Sequence, residues 1–237
     1  MLADLAPNKG KTLEASVAGV EYLRLPIKTR LIEFGDDLFE LLVEYVEPHI
    51  QKGDIFFVSE KVVCITQGRI IHRDDVQTSW LARLLSGKVR NHVGTEKFRG
   101  FGHGTPPAMQ LLIEEAGYPR ALFAAFVSAI TRPLGIKGAF YYLVGKQAKS
   151  IDCPMSFTLE RYKDYAKMAP LDPNHVAQKI KERFGVETVI VDANYRGAFS
   201  LGKSTRAITE KFIQELLRDN PAGQDSEMTP FFLVRKV

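Results

Sequence analysis

Three groups of residues have the types and spacing that chemistry needs. The first is FGHGTPPAMQLLIEE, residues 101–115, where Gly102 and Gly104 flank His103 and Thr105-Pro106-Pro107 opens a helix. Glycines ahead of a helix start let backbone N–H groups close around an anion, and His103 adds a hydrogen bond or a proton. Thr105 suits the N-cap, and proline in the first turn sacrifices no intrahelical bond. The same residues also read as a plain capped helix after a loop with an exposed histidine. The second group is Asp152, in KSIDCP, and Asp192, which ends the apolar run TVIVD. A carboxylate at the end of a buried strand can hold Mg²⁺ beside phosphates, because that ion takes one or two carboxylates and fills its shell with water and phosphate oxygens. Otherwise each is a turn aspartate. The third is GAFSLGKS, residues 197–204, which matches the Walker A pattern and would set Lys203 at a helix start. Phe199 and Leu201 are bulky for a loop around a polyphosphate, and only 33 residues follow Ser204.

Composition narrows the class. The chain has 237 residues, 45% hydrophobic and 25% charged, ordinary for a soluble globular protein. That length suits a single domain over residues 1–237 or two intimate subdomains. No apolar run approaches the roughly 20 residues that span a bilayer, and the N-terminus lacks signal-peptide character. Neither a membrane nor nucleic acid is expected as a partner, and a cytoplasmic location fits best. Two cysteines, Cys64 and Cys153, imply no disulfide framework. Cys64, within VVCI, is expected to be a buried thiol. The net charge is +4, and the excess gathers in residues 83–99, where Arg83, Lys88, Arg90, Lys97 and Arg99 face only Glu96. That stretch is either an anion-binding patch or a solvated loop.

These groups need elements to place them. Residues 17–33 read as two strands broken near Pro26. Asp36 and Asp37 then open a helix with Leu38, Leu41, Leu42, Tyr45 and Val46 on one face. Gly53-Asp54 turns the chain into the strand at 55–58, and a further helix follows. Helices are expected at 77–86, 106–116, 173–184 and 204–218, with strands at 139–144, 188–192 and through the final FFLV. ALFAAFVSAI, at 121–130, is open between a buried helix and a buried strand. The order predicts an α+β or mixed α/β fold, with mixed sheets and flanking helices.

The opening block resembles the coenzyme F-420:γ-glutamyl ligase family. The likeness rests on GDDL at 35–38, GDI at 53–55, SEKVV and the later QGR. It continues in SID at 150–152, in LDPNHVAQKI from 171 and in VIVDANYRG. It implies that family's fold and a GTP- or ATP-dependent ligase that forms a γ-glutamyl amide, with Mg²⁺ or Mn²⁺ held by Asp152 and Asp192. It also implies anion contacts from Lys61 and Arg196, joined by Gly102, His103, Gly104 and Thr105. The implied mechanism passes a nucleotide γ-phosphate to a substrate carboxylate, and the amine of L-glutamate then attacks. The acceptor would be a small anionic carboxylate, deazaflavin-coenzyme-like or folate-like, and the protein a homodimer. The chain departs from the pattern at Ile65, where the family has lysine, at Pro154 and Met155, where it has Ser-Asn, and at Ala193, where it has threonine. A non-catalytic relative binding a nucleotide or pterin-like ligand is the alternative, and a kinase using Lys203 is a third.

Overall fold

The computed structural model describes residues 5–89, 102–156, 159–194, 197–223 and 226–237. The chain forms two compact units, residues 1–68 with 170–237, and residues 69–169.

The first unit is built on a six-stranded mixed sheet. Its strands are β1 (Glu14–Val17), β2 (Val20–Ile27), β3 (Ile55–Ser59), β6 (Glu187–Asn194), β7 (Gly197–Lys203) and β8 (Phe231–Lys236). They lie in the order β1-β2-β8-β3-β6-β7. Only β3 and β6 run parallel among these pairs. IFFV, TVIV and FFLV are continuous apolar runs because both faces of the central strands are buried. Phe57, Val189, Val191 and Phe232 pack on α9 (Glu210–Leu216) through Ile213 and Leu216. Phe56, Val58, Ile190 and Phe231 alternate to the other face and are equally buried. Helix α8 (Pro173–Phe184) packs against β6 and β7.

Turn chemistry fixes the local geometry of this unit. Ala18 and Gly19 both have positive φ, +51° and +79°, the two-residue turn that suits a twisted hairpin. The expected break at Pro26 is absent, and β2 continues to Ile27. β1 pairs only as far as Leu23, so Pro26 has a ladder partner, Phe232, on one side, and its missing N–H is tolerated. In the Gly-Asp turn, Gly53 has φ +93°. Buried Asp54 accepts from Gln51 N at 2.8 Å and takes a forked pair from Arg235 at 2.8 and 2.7 Å. Asp37 caps α1 (Leu38–Tyr45), accepting from Phe39 N at 2.8 Å and Glu40 N at 3.0 Å.

The second unit is mainly helical. It holds α3 (Trp80–Ser86), α4 (Pro106–Ala116), α5 (Tyr118–Thr131), α6 (Ala139–Val144) and α7 (Lys146–Lys149). A short antiparallel pair, β4 (Ile70–His72) with β5 (Tyr165–Lys167), completes it. Its core gathers Leu81, Met109, Leu112, Ala124, Val144 and Ile151. The ambiguous run at 121–130 is helix. AFYYLV, expected as a strand, is helix α6, bounded by Gly138 and Gly145 and packed on α5. Six residues are too few for periodicity to separate the two, so tertiary packing decides.

Candidate functional site

The parallel pair builds the first cluster. β3 and β6 match from Ile55↔Glu187 to Ser59↔Val191. Beyond that last pair the chain enters α2 (Glu60–Thr66) on one side and continues through Asp192 to Asn194 on the other. Ser59, Glu60 and Lys61 therefore lie at the same end of the β3–β6 pair as Asp192, which remains paired with Phe199 of β7. Carboxyl ends of parallel strands are where open sheets hold ligands. Asp192 is half-buried, and its Oδ1 lies 3.5 Å from Asn194 Nδ2. Glu60 is buried, with Oε2 3.7 Å from Cys64 Sγ. Glu60 and Asn194 were not singled out from sequence; the signal available was a charged Glu-Lys pair directly after a buried strand. Arg196 lies outside the described residues, as does most of the basic stretch at 83–99.

The second cluster lies in the helical unit. Gly102–Gly104 form a 3-10 turn, and Thr105 caps α4, its Oγ1 accepting from Ala108 N at 3.4 Å. His103 Nε2 is buried and has no hydrogen-bond partner among the described residues. Its ring lies 5.3 Å from that of Tyr141. Burial pushes the His103 pKa down to about 4; Asp152 and a hydrogen bond to the Ala148 backbone oppose this, while Lys167 and Lys149 reinforce it. The imidazole is thus neutral near pH 7. Burial likewise pushes Tyr141 up to about 12. It also raises the Cys153 thiol, against the hydroxyl of Thr105 and the charge of Arg73.

Asp152 is positioned by backbone pairing. Its N–H donates to Lys167 O at 3.2 Å, and Lys167 N–H returns a bond to Asp152 O at 2.8 Å. The Lys167 side chain is fully buried and its Nζ donates to Ser150 O. Of the residues expected from sequence, His103, Thr105 and Asp152 share this neighbourhood in the second unit. Lys61 and Asp192 share the strand ends of the first. Lys167 was missed, since nothing in YAKM marks a buried lysine.

The Walker-like segment is not a phosphate loop. Residues 197–203 are strand β7, antiparallel to β6. Gly202 is there for close packing: a Cβ would stand 2.3 Å from the Pro173 carbonyl carbon. Lys203 Nζ donates to Ile208 O at 2.6 Å, and its N–H donates to Asn174 Oδ1 at 3.0 Å. Ser204 Oγ donates to Glu187 Oε2 at 2.6 Å. The kinase reading through Lys203 is therefore withdrawn. The departures from the family pattern also have packing roles. Ile65 is buried in α2, Ala193 pairs with Ala198, and Met155 is buried with its N–H on Tyr165 O at 2.7 Å.

A separate cleft of about 280 Å³ in the first unit is lined by Asp37, Phe39, Gln67, Asp172, His175 and Lys179. The two described cysteines are buried free thiols. Among the described residues no helix is long and apolar enough to cross a membrane.

A family model described as F420-0:Gamma-glutamyl ligase matches residues 26–230. The match runs from within β2 to the residue before β8, so it takes in both clusters. No curated protein matches the chain.

Proposed function

We propose that this chain, which belongs to the F420-0:gamma-glutamyl ligase family, joins L-glutamate to a small anionic carboxylate acceptor, deazaflavin-coenzyme-like or folate-like, in a nucleotide- and divalent-metal-dependent reaction. Family membership carries the general ligase activity. The finer reading is supported chiefly by one observation: Asp192, in β6, and Lys61, in the first turn of α2, lie just beyond the last matched pair of the parallel strands β3 and β6. A carboxylate and an ammonium there suit a metal–polyphosphate pair.

The donor set fits a magnesium-like ion. Mg²⁺ or Mn²⁺ bound by few carboxylates takes the rest of its ligands from water and phosphate. The resemblance implies Asp152 and Asp192 each as a metal ligand, and the ion would neutralise phosphate charge as the γ-phosphoryl group of GTP or ATP is transferred. The chain's own residues do the rest. Lys61 offers a cation to the phosphates. The turn at Gly102–Thr105 and neutral His103 offer hydrogen bonds rather than charge. The acceptor carboxylate takes the γ-phosphoryl group with release of the nucleoside diphosphate; the glutamate amine then attacks the carbonyl carbon of that acyl phosphate, the amide C–N bond forms, inorganic phosphate leaves and the amine gives up a proton.

A second reading, a relative that binds a nucleotide or pterin-like ligand without catalysis, is favoured by Ile65, Met155 and Ala193. Each stands where the resemblance implies a polar contact and is used for packing instead. The experiment that separates the two is phosphate release from GTP or ATP with Mg²⁺, L-glutamate and candidate carboxylate acceptors. Release that depends on both glutamate and acceptor supports the ligase. Nucleotide binding without turnover supports the binding relative.

A further inference from the structure

Helix α5 turns Ala121 and Ala124 into the core and leaves a different face to solvent. Leu122, Phe126 and Ile130 recur every fourth residue, with Phe123 beside them, and are 48%, 65%, 52% and 58% exposed. At 3.6 residues per turn these four span an arc of roughly 100°. The chain carries the stripe onward through Leu134 and Ile136, 73% and 54% exposed. An exposed apolar patch of this extent marks an interaction surface.

The charge around it has one sign. Between Glu115 and Asp152 the sequence contains Arg120, Arg132, Lys137, Lys146 and Lys149 and no Asp or Glu. An ordinary solvated helix mixes both signs. A second copy is disfavoured as cover, because a two-fold contact sets the same cations against each other while residues 116–151 offer no carboxylate to answer them. The side chains of the stripe stand 48–73% exposed. Single protruding apolar groups with flanking cations suit a soft anionic surface, and a helix of this length, about 21 Å, can lie within one.

We propose that this face of α5, continued through Leu134 and Ile136, docks the protein on an anionic lipid membrane. The apolar side chains reach the boundary between headgroups and acyl chains, and Arg132 and Lys137 meet the anionic headgroups. The expectation of no membrane weighed only spanning segments, and α5 lies on the bilayer rather than across it. Because the face is independent of both clusters, the inference does not rest on the ligase reading.

Co-sedimentation of the full chain with vesicles tests it. Binding is expected to vesicles of phosphatidylcholine with phosphatidylserine and not to phosphatidylcholine alone, and to weaken with salt. Phe126→Glu and Ile130→Glu, both on the exposed face, are expected to cut partitioning about tenfold or more without lowering the melting temperature. Lys137→Glu should weaken it too. Absence of binding to the anionic vesicles, or binding unchanged in Phe126→Glu, overturns the proposal. So does a dimer in light scattering that Phe126→Glu converts to monomer, since that makes the face a self-contact.

Discussion

Gly202 and His103 show how differently single residues contribute. Gly202 is a contact residue: the Pro173 backbone occupies the space a side chain would need. Gly202→Ala is expected to destabilise the first unit by about 1–3 kcal/mol or more, as overpacking against backbone does. Thermal melting with a calorimetric readout checks it, and an unchanged melting temperature would contradict the packing. His103 contributes through its environment. Its folded pKa of about 4 lies below the ordinary 6.5. The unfolded chain therefore binds more protons between those values, and stability falls as pH drops from about 6.5 to about 4. The slope from this group is at most about 1.4 kcal/mol per pH unit. Denaturant unfolding of His103→Gln across that window is expected to show a shallower loss than the wild type. Parallel curves would mean that His103 titrates normally.

At the level of elements, legibility tracked the apolar content of the inward face. The helix opened by Asp37, the strand IFFV, α4, α8 and the final FFLV strand were readable because their buried positions hold large apolar side chains. β7 was not, since its inward positions are Ala198, Ser200 and Gly202, which leave no hydrophobic alternation to see. The helix expected over 204–218 shrinks to Glu210–Leu216, beginning where Thr209 caps it. The site was legible in the same partial way. Asp152, His103 and Thr105 fall together, yet buried Lys167 joins them only through pairing between distant segments, which no local pattern shows. The signature GDDL and GDI turns are explained by structure: Asp37 caps a helix and Asp54 holds Arg235. Asp37→Ala is expected to cost about 1 kcal/mol through the lost cap, while Asp37→Asn retains most of it. Equal melting temperatures for wild type and Asp37→Ala would show that the cap is idle.

At the scale of the whole chain, each unit holds one of the two aspartates that the resemblance implies as metal ligands. Asp152 comes from residues 69–169, and Asp192 from the sheet unit. The ligase proposal requires that metal–nucleotide binding depend on these carboxylates. If so, Asp152→Asn and Asp192→Asn should each weaken that binding roughly 10- to 100-fold, the equivalent of about 1.5–3 kcal/mol for a lost charged contact. The most direct measurement is calorimetric titration of the wild-type chain and Asp192→Asn with GTP and with ATP, each with Mg²⁺. Saturable, Mg²⁺-dependent binding of one nucleotide that Asp192→Asn weakens is the predicted result. No binding of either nucleotide at millimolar concentration, or binding indifferent to Mg²⁺ and to Asp192, would contradict it.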